Sequence, residues 1–174
     1  RMMIDHAAIR FFGDIPAAQA RARGERIALQ SDAGSLTYGE LHDRVGRAMT
    51  ALAAEGVGAG DRVCWLGASG LDWFTAFFAT VGLRACFSPL NLRLAPGEIA
   101  YMLTDSEAAV LLVTASEIEL AQAAVAAMEQ PVRIVTVGFD HPGLSRLAVA
   151  DSAPRDPLPQ REEDDILQLY TSGT

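Results

Sequence analysis

The chain has 174 residues, half of them hydrophobic and 21% charged, with a net charge of −8, the proportions of a globular domain with its own core and not of a disordered segment. All fourteen basic side chains are arginine, so a step that needs a lysine ammonium has no donor in these residues. The first 87 residues carry 9 acids against 9 arginines and the remaining 87 carry 13 against 5, and an acidic chain without a basic stripe argues against nucleic acid or an anionic membrane as partner.

Residues 1–26 read as a polar lead-in rich in Ala and Arg, with Pro16 near the start of a helix that runs to Arg23 and stops at Gly24. The opening Arg1 to His6 lacks an apolar h-region, so no secretion signal is expected and a cytoplasmic location is. Ile27–Gln30 and Ser35–Thr37 are expected as two short strands about the turn Ser31-Asp32-Ala33-Gly34. Thr37 and Glu40 have capping-box spacing, in which hydroxyl and carboxylate satisfy the free N–H groups of a first helical turn. Tyr38, Leu41, Val45, Ala48 and Leu52 then define one apolar stripe, and Gly56 closes the helix.

Asp61–Ala68 predicts a buried strand, and Ser69 with Asp72 predicts a cap for a helix from Gly70 to about Gly82. Between Arg62 and Arg84 only Asp72 is charged, but Gly67, Ser69 and Gly70 divide the stretch into strand, turn and helix and exclude a membrane span. Leu71, Trp73, Phe74, Phe77, Phe78 and Val81 leave that helix apolar all round, so it is expected to be packed on two faces, with its aromatics in the core and not in an acyl pocket. Cys64 and Cys86 stand in apolar segments without ligand spacing and read as buried, inert thiols.

Ala85–Pro89 is the next expected strand, and Pro96 opens a helix through Ile99, Met102 and Leu103. Ala109–Thr114 is a further strand. Ser116 and Glu119 repeat the capping-box spacing before an Ala-rich helix that Pro131 ends, and Val132–Val137 is the strand after it. Residues 138–159, with Pro142, Pro154, Pro157 and Pro159, read as loop. Arg161 to Asp165 reads as a solvated charge run, its carboxylates without a close cation beyond Arg161, and no metal ligand is assigned in it.

Strand and helix thus alternate from residue 61 to 137, which predicts an α/β fold with a largely parallel sheet and helices on both faces. Ligands of such sheets bind beyond the carboxyl ends of the strands. The final stretch, Asp165 to Tyr170, is expected to be a buried strand that delivers Thr171-Ser172-Gly173-Thr174 to that rim. Hydroxyls, backbone N–H groups and a glycine suit an anion, above all a phosphate, although the same residue types make an ordinary turn.

Four stretches in this order resemble the N-terminal part of the adenylate-forming enzymes, the superfamily of acyl-CoA synthetases, luciferases and peptide-synthetase adenylation domains. Leu36-Thr37-Tyr38-Gly39-Glu40-Leu41 is similar to the family's Leu-Thr-Tyr-x-Glu-Leu motif. Leu83 to Asn91 is similar to its second motif, with Leu83-Arg84 where Ala-Gly is common. Asn91-Leu92-Arg93-Leu94 and Glu98 to Ser106 resemble the wording of acyl- and aryl-CoA ligases, and Asn91 with Asp105-Ser106 favours that branch. Tyr170-Thr171-Ser172-Gly173-Thr174 is similar to the first half of the phosphate loop Thr-Ser-Gly-Thr-Thr-Gly-x-Pro-Lys-Gly.

The resemblance implies an acyl-CoA synthetase: a carboxylic acid substrate attacks ATP to give an acyl-adenylate and pyrophosphate, Mg²⁺ assists, and coenzyme A captures the acyl group. Fatty acid activation is among the roles it implies. In the family the phosphate loop wraps the β- and γ-phosphates, and that role is carried to Thr171, Ser172, Gly173 and Thr174 only. No catalytic residue is assigned here, because the family's lysines and magnesium-binding glutamate lie beyond the position of Thr174. The chain is therefore expected to be the N-terminal portion, residues 1–174, of the AMP-binding large domain, interrupted in the phosphate loop, without the C-terminal lid domain and inactive by itself. A non-catalytic truncated module and a peptide-synthetase-type adenylation domain are the alternatives. The acyl chain is not legible, and a homo-oligomer is compatible with this reading.

Overall fold

A computed structural model describes residues 8–171. A short 3-10 turn at Phe12–Asp14 leads into helix α1, Ile15–Arg23, with Pro16 in its first turn where the missing N–H costs no hydrogen bond. Strands β1, Ile27–Ser31, and β2, Gly34–Thr37, form an antiparallel hairpin. Helix α2, Tyr38–Ala54, starts on the expected capping box: the Glu40 N–H donates to Thr37 Oγ1 at 3.2 Å and the Thr37 N–H donates to Glu40 Oε2 at 2.7 Å. It stops where Gly56 takes a left-handed φ of 85°, which an L side chain would resist.

From there strand and helix alternate: β3 Arg62–Leu66, α3 Leu71–Gly82, β4 Cys86–Pro89, α4 Pro96–Asp105, β5 Ala108–Val113, α5 Ile118–Ala126, β6 Ile134–Thr136 and β7 Ser145–Arg146. The five strands β3 to β7 form one sheet in the order β4-β3-β5-β6-β7, and each adjacent pair is parallel. The two sides of β3, β5 and β6 feed two cores, the first of which Phe87 of β4 joins. Val63, Trp65, Phe87, Val110, Leu112 and Val135 pack with α2 and α3. Cys64, Leu66, Leu111, Val113 and Ile134 pack with α4 and α5. Burial on both faces is why β3 and β5 read as continuous apolar runs and not as alternating ones.

Helix α3 is covered on two sides as expected, by α2 and by the sheet, but not all its aromatics are in the core, since Phe74 is 37% exposed. Trp73 and Phe77 stack at 5.6 Å between ring centroids, and both meet the Phe87 ring, at 5.2 and 5.7 Å, so these aromatics are core. Both cysteines are free and buried.

Five other expectations need correction. Ser69 does not cap α3; the N-cap is Gly70 with no side-chain bond, because Asp72 turns to the guanidinium of Arg44 on α2. Ser116 does not cap α5 either: its hydroxyl donates to the Glu117 carboxylate at 2.7 Å, as that of Thr114 does at 2.5 Å, a 3-10 turn fills Ala115–Glu117, and α5 begins at Ile118. The segment read as loop after Gly138 contains β7, two exposed residues that pair with Val135 and Thr136 without any apolar alternation to announce them. The acidic run is not free of cations. Asp164 is gripped by Arg84, and Asp165 lies 4.0 Å from Arg62. Lastly, the closing stretch is not a buried strand: Leu167 is 44% and Leu169 61% exposed, because they alternate onto an uncovered face while Ile166, Gln168 and Tyr170 are half-buried on the other.

Candidate functional site

The closing stretch adds to the edge of the sheet beside β4. Phe87 N–H donates to the Ile166 carbonyl at 3.1 Å and Gln168 N–H donates to the Phe87 carbonyl at 3.0 Å, a parallel bridge centred on Leu167. Its direction is that of the other strands, so the chain beyond Gln168 heads for the carboxyl end of the sheet. Thr171 stands exposed there; Ser172, Gly173 and Thr174 lie outside the described residues. Two contacts pin the approach to this rim. Arg84, at the turn into β4, makes a two-pronged ion pair with Asp164, Nε to Oδ2 at 2.8 Å and Nη2 to Oδ1 at 2.7 Å. Tyr170 lays its ring on the α4/α5 core, and its hydroxyl donates to Asp105 Oδ2 at 2.8 Å.

Electrostatics set the protonation of these groups. The Arg84 guanidinium holds the Asp164 carboxyl down at about 2, against an ordinary value of 3.8. Burial, together with the Asp105 carboxylate, pushes the Tyr170 phenol up to about 12, so it is a fixed proton donor at neutral pH. Burial also pushes the Cys64 thiol up to about 11 and raises that of Cys86, which leaves both protonated and poor nucleophiles.

The rest of the rim is built from strand ends. Gly67 follows β3 and Thr114 follows β5, and a Cβ on Gly67 would lie 2.7 Å from Thr114 Oγ1. After β4, Asn91 folds its side chain onto its own loop, Oδ1 accepting from the Arg93 N–H at 3.0 Å, and thereby shapes the entry to α4. A cleft of about 330 Å³ opens beyond β6 between Arg44, Arg47, Asp72 and Arg146. Each arginine there has its own carboxylate, Arg44 with Asp72, Arg47 with Asp43 and Arg146 with Asp140, so the cleft holds little spare charge for an anion. A groove of about 920 Å³ between α4 and α5 touches Ala108 at the amino end of β5 and is remote from the rim. Position relative to the strands, not volume, selects the site. Among the described residues no three His, Cys, Asp or Glu side chains are grouped to hold a metal ion. No helix among them is long and apolar enough to cross a membrane.

Residues 16–174 match the model of the AMP-binding enzyme family. The chain belongs to the AMP-binding enzymes. This AMP-binding enzyme chain is 32% identical over 160 residues to a 3-hydroxybenzoate–CoA/4-hydroxybenzoate–CoA ligase of Thauera aromatica, covering 89% of this chain and 31% of the relative. It is 36% identical over 162 residues to a feruloyl-CoA synthase of an Amycolatopsis species, covering 93% and 31%. In three dimensions it is similar to an anthranilate CoA ligase crystallised with anthranoyl-AMP, with a TM-score of 0.86, 25% identity, and coverage of 93% of this chain and 32% of that one. It thus spans 31% of the length of the curated relatives named. The α/β architecture with its parallel sheet is the one these AMP-binding enzymes share.

The approach to Thr171 is anchored by contacts that the order of the residues does not show. The Arg84–Asp164 pair spans 80 positions and the Tyr170–Asp105 pair 65, and nothing local announces either. One weak signal existed for the second: Asp105 ends α4 at the negative pole of the helix dipole, where a carboxylate is unfavourable unless it serves something else.

Proposed function

We propose that the whole protein is an ATP-dependent acid–thiol ligase and that this chain contributes its phosphate-contacting rim. A carboxylate oxygen attacks the α-phosphorus of ATP, the bond to the bridging oxygen breaks, and pyrophosphate leaves. The sulfur of coenzyme A then attacks the acyl carbon and AMP leaves. Both partners in the first step are anions, so donors must stand where the phosphate oxygens lie. The observation that carries the reading is the parallel edge segment that ends in an exposed Thr171 at the carboxyl side of the sheet.

Thr171, Ser172, Gly173 and Thr174 are the residues proposed to contact the ATP phosphates. The fit is chemical: hydroxyls and backbone N–H groups donate, no carboxylate is within this tetrapeptide to repel, and the glycine permits close approach. Mg²⁺ would supply charge neutralisation on the phosphate oxygens, but the described residues offer it no grouped carboxylates, and no step is assigned to it through them. The acid is the open variable. The two curated relatives named above act on hydroxybenzoates and on ferulate by their names, which makes aromatic acids the first to try alongside fatty acids.

The test is ATP–pyrophosphate exchange by the whole protein against a panel of aromatic and aliphatic acids, followed by thioester formation with coenzyme A. Exchange that depends on one class of acid is expected. No exchange with any acid would count against the proposal.

A further inference from the structure

The residue just before the proposed phosphate stretch is held more firmly than an edge strand requires. Beside β4 the closing segment makes only two ladder bonds, and its outer edge is open, with Leu167 and Leu169 exposed. Segments with so few bonds fray readily. Tyr170 counters this from the other side of the backbone. Its hydroxyl proton goes to Asp105 Oδ2 at 2.8 Å, the charge-assisted and shorter contact; the Met102 carbonyl is at 3.3 Å. The same oxygen accepts from Gln168 Nε2 at 3.1 Å, so strand, ring and helix end are joined in one network.

Asp105 makes little sense as part of α4 alone. It is the last residue of that helix, where the dipole disfavours negative charge, and its side chain is exposed. A polar residue that breaks a local rule and is matched by a distant donor points to work done at that donor. The donor is the neighbour of Thr171.

We propose that Tyr170 and Asp105 are a positioning pair that holds the backbone at Thr171 in place, so that they set the affinity for the triphosphate and not the rate of chemistry. This rests on the proposed role of Thr171 to Thr174. A backbone already held at Thr171 binds the nucleotide with less loss of conformational freedom, and that gain is equal in ground and transition states. The pair should therefore move KM for ATP while kcat stays.

The experiment uses the whole protein and four variants: Tyr170→Phe, Asp105→Ala, Asp105→Asn and the double Tyr170→Phe/Asp105→Ala. Two quantities are read: ATP KM and kcat in pyrophosphate exchange, and the Kd of α,β-methylene ATP by calorimetry. Tyr170→Phe and Asp105→Ala should each raise KM and Kd roughly fivefold, the scale of one lost hydrogen bond, with kcat within about twofold. Asp105→Asn keeps an acceptor oxygen and should restore near-normal values. The double variant should be no worse than either single, since both remove the same contact. A role confined to stability would lower Tm and the active fraction in the single variants with KM and Kd unchanged, and that result would overturn the pairing. If the unsubstituted protein shows neither exchange nor analogue binding, the phosphate reading itself fails and takes this inference with it.

Discussion

Arg84 sits with a φ of 60° and clamps Asp164 through two parallel hydrogen bonds of 2.8 and 2.7 Å, which fastens the approach to the rim onto the edge strand of the sheet. An arginine in the left-handed region is strained, and a glycine would be at ease there. The planar guanidinium matches a carboxylate in a way that an ammonium could not.

The first consequence concerns acid. The Asp164 carboxyl is held at about 2, below its ordinary 3.8, so its contribution to stability is present above the unfolded value and is lost as pH falls through the folded one. Asp164→Asn should lower Tm by a constant amount from about pH 5 to pH 8, and the gap from the unsubstituted protein should close between roughly pH 4 and pH 2. Thermal melts across that range check it; a gap independent of pH would argue against the pair.

The second separates strain from pairing. Arg84→Ala removes the ion pair and keeps a Cβ at positive φ, whereas Arg84→Gly removes both. Arg84→Gly should therefore unfold at higher urea than Arg84→Ala, with Asp164→Asn adding little to either because the partner is already gone.

A third contrast tests the aromatic core. Phe87 is fully buried among Trp65, Trp73 and Phe77, so Phe87→Ala should cost about 3–5 kcal/mol in urea unfolding. Leu169→Ser, on a 61% exposed side chain, should stay within about 0.5 kcal/mol. Equal costs would mean that the Leu169 face of the closing segment is covered.

Gly67 offers a fourth test at the rim. A Cβ there would come within 2.7 Å of Thr114 Oγ1 and 2.8 Å of its Cγ2, and a short β-branched side chain has no room to swing aside. Gly67→Ala should destabilise by about 1–3 kcal/mol through overpacking. Thr114→Ala in the same chain should recover part of that loss, a coupling that urea unfolding of both singles and the double would reveal.

Local chemistry made much of this fold readable in advance. The capping box at Thr37 and Glu40, the stripe from Leu41 to Leu52, and the two apolar strands at Val63 and Val110 each specify their element from neighbours within a few positions. Ser69 and Ser116 show the limit of that logic. Each has the spacing of a cap, but Asp72 finds Arg44 across 28 positions, and Ser116 gives its hydroxyl proton to the neighbouring Glu117. That the chain closes on an apolar run passing into hydroxyls and a glycine was legible from residue type alone. Its anchors were not, because Arg84–Asp164 and Tyr170–Asp105 exist only once β4, α4 and the closing segment have come together.

The most direct measurement is the ATP dependence of pyrophosphate exchange in the whole protein with Thr171 replaced by valine, which keeps the shape and removes the donor. Loss of one hydrogen bond to a charged phosphate predicts a KM for ATP raised by roughly tenfold or more, with KM for the carboxylic acid unchanged. An ATP KM equal to that of the unsubstituted protein would contradict the assignment of this rim to the triphosphate.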